Sequence, residues 1–340
     1  MEQATIIGID LAKRSFQLHG VTREGRAVFR KKVSRGQLLN FLSAQPSAVV
    51  AMEACATAHD WGRAIKKLGH EVRLIPPVYV KPFVRRHKND AADAEAIAEA
   101  ASRPSMRFVA LKSEDQQAQA MLFRTRDLLV RQRTQLVNAL RGHLAEHGIV
   151  AAYGLAKVKV LAAALGEGSV HPLVRELGQR YFEHIASLDV EIGELDKSLR
   201  QLCRTNETSV RLQTMPGIGP VTAAAIDAFA PPMVTFRRGR DFAAWLGLVP
   251  RQHSTGGKPR LGRTSKMGQR DIRRLLIIGA MAVVRWAARK GAAEGSWLAR
   301  MLVKKPRLVV AIALANKMAR SVWAMLTKNE SYQGSALAAV

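Results

Sequence analysis

Cysteine is nearly absent from this chain of 340 residues: Cys55 and Cys203 are the only two. That excludes a disulfide framework and a cysteine-based zinc cluster, and it fits a reducing compartment. Aromatic residues amount to 6%, little for a protein that stacks sugars or flat ligands on a sheet. Long apolar runs are scarce as well. The longest charge-free apolar run in the carboxyl-terminal half, Leu275–Val284, has ten residues, against the roughly 18–20 needed to cross a bilayer. The start, Met1-Glu2-Gln3, lacks the basic segment and apolar stretch of a signal peptide. A soluble protein with no membrane partner is expected. Acid is scarce beside base: 27 Asp+Glu face 53 Lys+Arg, a formal net charge of +26. Such a surplus repels itself, and a fold tolerates it best when a polyanion screens it. Nucleic acid is therefore the expected partner. The 48% of hydrophobic residues suffices for real cores, and the length favours two or three domains.

The surplus is unevenly spread. Residues 1–100 hold 16 Lys/Arg and 10 Asp/Glu, whereas residues 251–320 hold 17 Lys/Arg and only two acids, Asp271 and Glu294. A solvated face is one reading of the second stretch; with its repulsion uncompensated, phosphate binding is the other. The first hundred residues instead place acids at specific points, which suggests a different task.

Thr5–Ile9 is a short β-branched run that meets Asp10. Phe16–Val21 alternates, and Arg23-Glu24-Gly25-Arg26 offers a turn into Ala27–Val33. Gly36–Leu42 has helical spacing, Ala48–Met52 is a buried-strand run ending at Glu53, and Trp61, Ile65 and Leu68 mark a helix punctuated by Gly69. Val72–Ile75 is a fifth strand, closed by Pro76-Pro77, and an Ala/Glu-rich helix begins near Asp90. Three strands, helix, strand, helix, strand, helix is the order of the ribonuclease H-like fold, although other α/β units share it. In that fold strands one and four are neighbours, so Asp10 and Glu53 come together. Asp90 and Asp93, three apart, share a helix face. Four carboxylates of this kind suit Mg²⁺ or Mn²⁺, two of which can clamp both oxygens of a phosphoryl displacement. The bland alternative is four solvated acids, with Asp90 and Asp93 favouring a helix N-terminus.

Gly8-Ile9-Asp10-Leu11-Ala12-Lys13, Met52-Glu53-Ala54-Cys55 and Lys88-Asn89-Asp90-Ala91-Ala92-Asp93-Ala94 together resemble the RuvC-like domain of DEDD insertion-sequence transposases, the Piv/MooV-related one-ten family. The resemblance covers roughly residues 1–330. It implies a DNA transposase or recombinase whose metal ligands are Asp10, Glu53, Asp90 and Asp93.

Downstream, Glu114–His147 contains no proline, and Leu122, Leu129, Leu136, Leu140 and Leu144 are interleaved with Arg124, Arg126, Arg131, Arg133 and Arg141. Ile185, Leu188, Ile192, Leu195, Leu199 and Leu202 form a heptad seam over nearly three repeats. An antiparallel helical arm is expected, its seam used for self-association or packed within the chain, its arginines open to nucleic acid. Thr214–Ala223 reads as a helix-hairpin-helix turn whose Gly217 and Gly219 expose amides to a backbone phosphate. A glycine-flanked loop follows, Gly247–Lys258, running through Gly262–Gly268 to a helix with Arg273 and Arg274. Arg251, Lys258, Arg260, Arg263, Lys266, Arg273 and Arg274 ring its hydroxyls as candidate nucleic-acid contacts. On chemistry alone those hydroxyls could simply touch phosphate. The resemblance implies that a serine here is the nucleophile on DNA, which falls on Ser254, with Thr255 the one-residue alternative. It further implies an element-encoded bridge RNA, donor and target DNA, a dimer or tetramer in which tetrad and serine come from different subunits, and a cytoplasmic, nucleoid-associated protein.

The expected architecture is α/β plus all-α: a ribonuclease H-like (RuvC-like) domain at 1–110, a coiled-coil arm at 111–207, a mostly helical transposase domain with helix-hairpin-helix at 208–328 and a flexible tail at 329–340. Two alternatives stay open: a metal-only Holliday-junction resolvase, and a non-enzymatic architectural nucleic-acid-binding protein. His59 beside Asp60 reads as a helix-start pair, and Trp245, Trp286, Trp297 and Trp323 as core.

Overall fold

The computed structural model describes residues 3–84, 90–167 and 170–333, and divides into two compact units, Met1–Glu114 and Asp115–Val340.

In the first unit, β1 (Ile6–Asp10), β2 (Ser15–Val21) and β3 (Ala27–Ser34) precede α1 (Leu38–Ser43), β4 (Val49–Glu53), α2 (Ala58–Lys67), β5 (Glu71–Ile75), the short α3 (Pro77–Val80) and α4 (Asp90–Ser102). The strands form one mixed sheet in the order β3-β2-β1-β4-β5. β2 pairs antiparallel with β1 and β3, and β4 pairs parallel with β1 and β5. Both faces are covered, because side chains alternate along each strand. Ile7, Ile9, Phe16, Leu18, Val50, Met52 and Leu74 bury against α1 and α2 on one side. Ile6, Val21, Ala51 and Ile75 meet the alanines of α4 on the other. This is the mixed sheet expected from the strand order.

The alanines matter because α4 lies almost on the backbone of β1. A Cβ at Gly8 would stand 2.3 Å from the Ala94 carbonyl oxygen and 2.6 Å from the Ala98 nitrogen. Only glycine leaves room for that approach, and it carries Asp93, one residue from Ala94, toward the end of β1. Behind this contact His19, 4% exposed, lies in the row of Gly8. Arg30 donates from Nε to His19 Nδ1 at 3.4 Å and pairs with Glu95 of α4 at 3.0 Å, tying helix to sheet. The unit closes at its C-terminal end, where Lys112 donates its N–H to His59 Nδ1 at 3.2 Å and Val109 donates to the Leu74 carbonyl at 2.7 Å. His59 thus serves the linker, while Asp60 pairs with Arg63 at 3.3 Å.

The second unit begins with α5 (Glu114–Ala145), then α6 (Val158–Glu167) and α7 (Pro172–Thr205). Arg126 pairs with Asp196 at 2.5 Å, and Arg133 pairs with Asp189. Both pairs sum to the same register, so α5 and α7 run antiparallel. The seam on α7 buries Ile185, Leu188, Ile192 and Leu199 within the chain, whereas Leu202 is 39% exposed. The arginines of α5 are engaged too: besides Arg126 and Arg133, Arg141 donates to the carbonyls of Ala151, Ala152 and Gly154, Arg131 pairs with Asp127 at 3.4 Å, and Arg124 lies over the Phe229 ring. Of the arginines on this face, Arg126, Arg133 and Arg141 are bound within the chain, while Arg124 and Arg131 keep exposed side chains.

The remaining helices are α8 (Glu207–Leu212), α9 (Pro220–Phe229), α10 (Gly239–Trp245), α11 (Arg270–Lys290), α12 (Trp297–Lys304) and α13 (Arg307–Lys328), with a hairpin of β6 (Pro250–Gln252) and β7 (Leu261–Thr264) between α10 and α11. Side-chain oxygens of Asn206, Gln269 and Ser296 cap α8, α11 and α12 by accepting backbone N–H bonds. By length and composition α13 is long and apolar enough to cross a membrane, yet it buries Val310, Leu314, Met318 and Val322 in the core shared by these helices. Trp245, Trp297 and Trp323 pack against that core. Trp286 departs from expectation at 40% exposed, because it shares the outward stripe of α11 with Ile278 and Arg289. Past α13, Arg211 donates to Asn329 Oδ1 and the Tyr332 N–H to Thr214 Oγ1, tying down the start of the expected tail.

Gly8→Ala should cost the first unit about 1–3 kcal/mol by overpacking. Urea unfolding followed by tryptophan fluorescence checks this through Trp61, which is 8% exposed beneath the sheet.

Candidate active site

Asp10 closes β1 and Glu53 closes β4, and the parallel register Ile9↔Met52 sets them side by side at one end of the sheet. Both face α4, since Gly8 and Asp10 alternate with the buried Ile7 and Ile9 of the other face. The α4 contact at Gly8 then delivers Asp93 to the same end. The electrostatics record the result: the Glu53 carboxyl is held above the usual range, first by burial and then by the negative charges of Asp10 and Asp93. Asp90 opens α4, but its side chain lies outside the described residues, as do Lys88 and Asn89. Among the described residues no group of three or more His, Cys, Asp or Glu is placed tightly enough to hold a metal. The donor set is nonetheless all hard carboxylate oxygen with like charges set close together, which is the chemistry a divalent cation fits.

In the second unit the basic loop is a β-hairpin. His253 donates to the Arg260 carbonyl at 2.8 Å, Lys258 donates to the Thr255 carbonyl at 3.1 Å, and Gln252 pairs with Leu261. Gly256 and Gly257, with φ of 55° and 75°, make the two-residue turn. Pro259 sits opposite Ser254 at a position that needs no ladder N–H. Alternation puts Ser254 on one face with Gln252 and Leu261, and Thr255 on the other with His253, Lys258 and Arg260. Gln252 Nε2 donates to Ser254 Oγ at 3.0 Å. The two hydroxyls therefore start from opposite faces of the exposed hairpin.

The expected basic contacts fall into two sets. Arg251, Lys258, Arg260, Arg263 and Lys266 are exposed. Arg251 donates to the Ser265 carbonyl at 3.4 Å, and Lys258, Arg260, Arg263 and Lys266 have no anionic partner among the described residues. Arg273 and Arg274 turn inward. Arg273 Nη1 donates to the carbonyls of Leu246 and Met267 at 2.8 and 2.9 Å, and burial holds its pKa below the usual value. Arg274 pairs with Asp127 of α5. Asn316 of α13 adds a bond to the Leu248 carbonyl at 3.1 Å. These groups brace the foot of the hairpin. Asp127 and Asn316 had escaped the sequence reading, although Asp127 is the lone acid between residues 116 and 145, set among arginines.

Gly217 has a φ of 88° and packs on α11: a Cβ there would lie 2.9 Å from the Gly279 carbonyl oxygen. Gly219 is exposed at the start of α9, with open space around it. Of the two turn glycines, one packs and one faces outward.

Known proteins fit this arrangement. A model described as a transposase, of the DEDD type, matches residues 7–149, and one described as transposase IS116/IS110/IS902 family matches residues 209–294. A probable family 20 transposase of Pseudomonas aeruginosa is 47% identical over 96% of this chain and 98% of its own length. The chain belongs to the IS116/IS110/IS902 transposase family. Two further relatives are a transposase for insertion sequence element IS1328 of Yersinia enterocolitica, 43% identical over 96% of this chain and 98% of that protein, and one for IS1111A of Coxiella burnetii, 38% identical over 98% and 92%. The transposase is thus an enzyme acting on DNA, and its DEDD-type domain points to divalent-metal use.

The raised Glu53 carboxyl means that its ionised form is disfavoured in the folded, metal-free transposase. That destabilisation is present at neutral pH and is relieved as pH falls through the raised value. Asp10→Asn should accordingly raise the Tm of the first unit in EDTA at pH 7 and abolish the further rise that Mn²⁺ gives the unaltered protein. Thermal scans with and without Mn²⁺ test both; a Tm that falls in EDTA would count against the repulsion.

Proposed function

We propose that this transposase cuts and rejoins DNA with two kinds of group, an acidic tetrad and a serine nucleophile. Asp10, Glu53, Asp90 and Asp93 would hold Mg²⁺ or Mn²⁺, which supplies polarisation of the scissile phosphate and stabilisation of the leaving oxygen. The observation that carries this is the parallel register that sets Asp10 and Glu53 side by side at the ends of β1 and β4, and the Glu53 carboxyl raised by burial and by the charges of Asp10 and Asp93 agrees with it.

Ser254 is the nucleophile. Its Oγ bonds to phosphorus as its proton passes to solvent, the phosphorus–oxygen bond to the departing strand breaks, and the leaving oxygen is protonated. The phosphoserine conserves the bond energy until the hydroxyl of a second DNA end attacks phosphorus and Oγ departs. The hairpin supports the choice: Ser254 is an exposed primary hydroxyl held by Gln252. Arg251, Lys258 and Arg263 neutralise the transferring phosphate, and Arg260 and Lys266 extend the basic surface. Gly219, with Gly217 setting the turn, offers amides at the start of α9 to a backbone phosphate. Arg273 and Arg274 act at one remove, by fixing the hairpin foot.

The same reading includes guidance by an element-encoded bridge RNA, which is what the family resemblance implies. It includes assembly into a dimer or tetramer through the arm at 111–207, with the tetrad and serine of one reaction supplied by different subunits. Met121, Val150, Tyr153 and Val190, apolar side chains left exposed on the arm, provide surface for that association.

Ser254→Ala should abolish the covalent protein–DNA adduct and strand exchange, while Ser254→Cys retains some adduct and Thr255→Ala retains both activities. Denaturing gels of end-labelled donor DNA decide. Full recombination by both the Ser254→Ala and the Thr255→Ala proteins would replace serine chemistry with metal-only cleavage. Sequencing RNA that co-purifies with the protein from cells carrying its element tests guidance: one enriched element-encoded RNA is expected, and bulk tRNA and rRNA alone would overturn it.

A further inference from the structure

The end of the sheet that bears Asp10 and Glu53 also collects cations. The register pairs Asp10 with Gln17, and Gln17 with Lys32. Residues paired across an antiparallel ladder project to the same face, so Asp10, Gln17 and Lys32 form one row on the α4 side. Lys32 stands two strands from Asp10, about 10 Å at the usual ~4.8 Å strand spacing. The β1–β2 loop at the same end carries Lys13 and Arg14, both exposed. Arg35 follows the end of β3; its N–H donates to the Arg14 carbonyl at 3.1 Å, binding loop to strand, and its guanidinium lies 5.0 Å over the Trp61 ring.

The neighbours of Lys32 show that this is not a general excess of charge. Arg30 is committed to Glu95 and His19, and Lys31, on the opposite face, lies 4.5 Å over the Phe41 ring. Lys13, Arg14 and Lys32 have no anionic partner among the described residues, although Glu95, Glu53 and Asp10 all lie on their side of the sheet. Three exposed cations without an anionic partner, set beside a carboxylate pair, create a local positive potential that draws an anion such as a phosphodiester to this edge.

We propose that Lys13, Arg14 and Lys32 form a phosphate-binding lip that holds the DNA strand on the β3 side of the carboxylates, contacting phosphates next to the one at Asp10 and Glu53. The idea rests on the reading of those carboxylates as the cutting site and adds to it the direction from which the strand crosses the sheet. Arg35, stacked on Trp61, keeps the loop in place and makes no phosphate contact itself. Such contacts position the strand without reading its sequence.

The test is the salt dependence of DNA binding by the full-length protein in EDTA, which takes metal out of the measurement. Replacing Lys13, Arg14 and Lys32 together by alanine should lower the slope of log Kd against log salt by about 2.7, at about 0.9 per lost phosphate contact on duplex DNA. The control replaces Arg23, Lys66 and Lys67, three exposed cations at the opposite end of the sheet, and removes the same charge; its slope should stay as in the unaltered protein. Equal slopes for the two triple variants would overturn the lip, as would a loss seen on an RNA hairpin but not on DNA. Metal-dependent cleavage by the unaltered protein, and its loss in Asp10→Asn, is scored separately, so failure of the cutting-site reading stays distinct from failure of the lip.

Discussion

At Gly8 the backbone of α4 comes so near β1 that no side-chain atom fits between them, and the placement of Asp93 beside the strand-end acids follows. A helix of ordinary standoff would leave Asp93 well away from the sheet. Here the alanines of α4 and a glycine on β1 remove that standoff, and Arg30, bonded to both His19 and Glu95, keeps the helix from sliding. The apolar contact beneath therefore forces like charges together above it. Folding gains from burying Ala94, Ala98 and Ala101 and loses to the burial and like-charge repulsion that raise Glu53. The fold accepts a local cost at a place where a bound cation would repay it.

The same division between a rigid base and an exposed working surface recurs in the second unit. The hairpin of β6 and β7 has no buried residue of its own from Pro250 to Gly262, so its geometry is imposed from below. Arg273 satisfies two carbonyls at its foot, Asn316 satisfies a third, and Arg274 reaches Asp127 on the long arm helix. Arg274 thereby ties the hairpin's supporting helix to the arm.

Much of the first unit was legible because its signals are local. Short β-branched runs ending in acids, a turn at Glu24-Gly25, and Gly69 after an apolar helical stripe each speak for the element that contains them. The acids of the site were legible for the same reason: Asp10 and Glu53 terminate strands whose order fixes their adjacency. The second unit was harder. Its seam read clearly, but periodicity cannot say that Arg126 and Arg133 will meet Asp196 and Asp189, 70 and 56 residues away. Part of a face that looked open to phosphate was therefore already paired. The hairpin escaped because strands of three and four residues with no buried side carry no alternation to read; only Gly256-Gly257 marked it.

Sorting the cations by what they touch changes the meaning of the net charge. On α5, and at Arg30, Arg273 and Arg274, guanidinium groups are bound to carboxylates, carbonyls or rings and serve as internal fasteners. Arginine suits this, because its planar fork can hold two acceptors at once. Cations without an anionic partner among the described residues are spread over both units, Arg23, Lys66 and Lys67 included, but those on the β6–β7 hairpin and at the Asp10 end of the sheet also adjoin the exposed Ser254 or the carboxylates. There the available charge would act locally, making the approach of a phosphodiester to an acidic site, or to an exposed serine, electrostatically favourable.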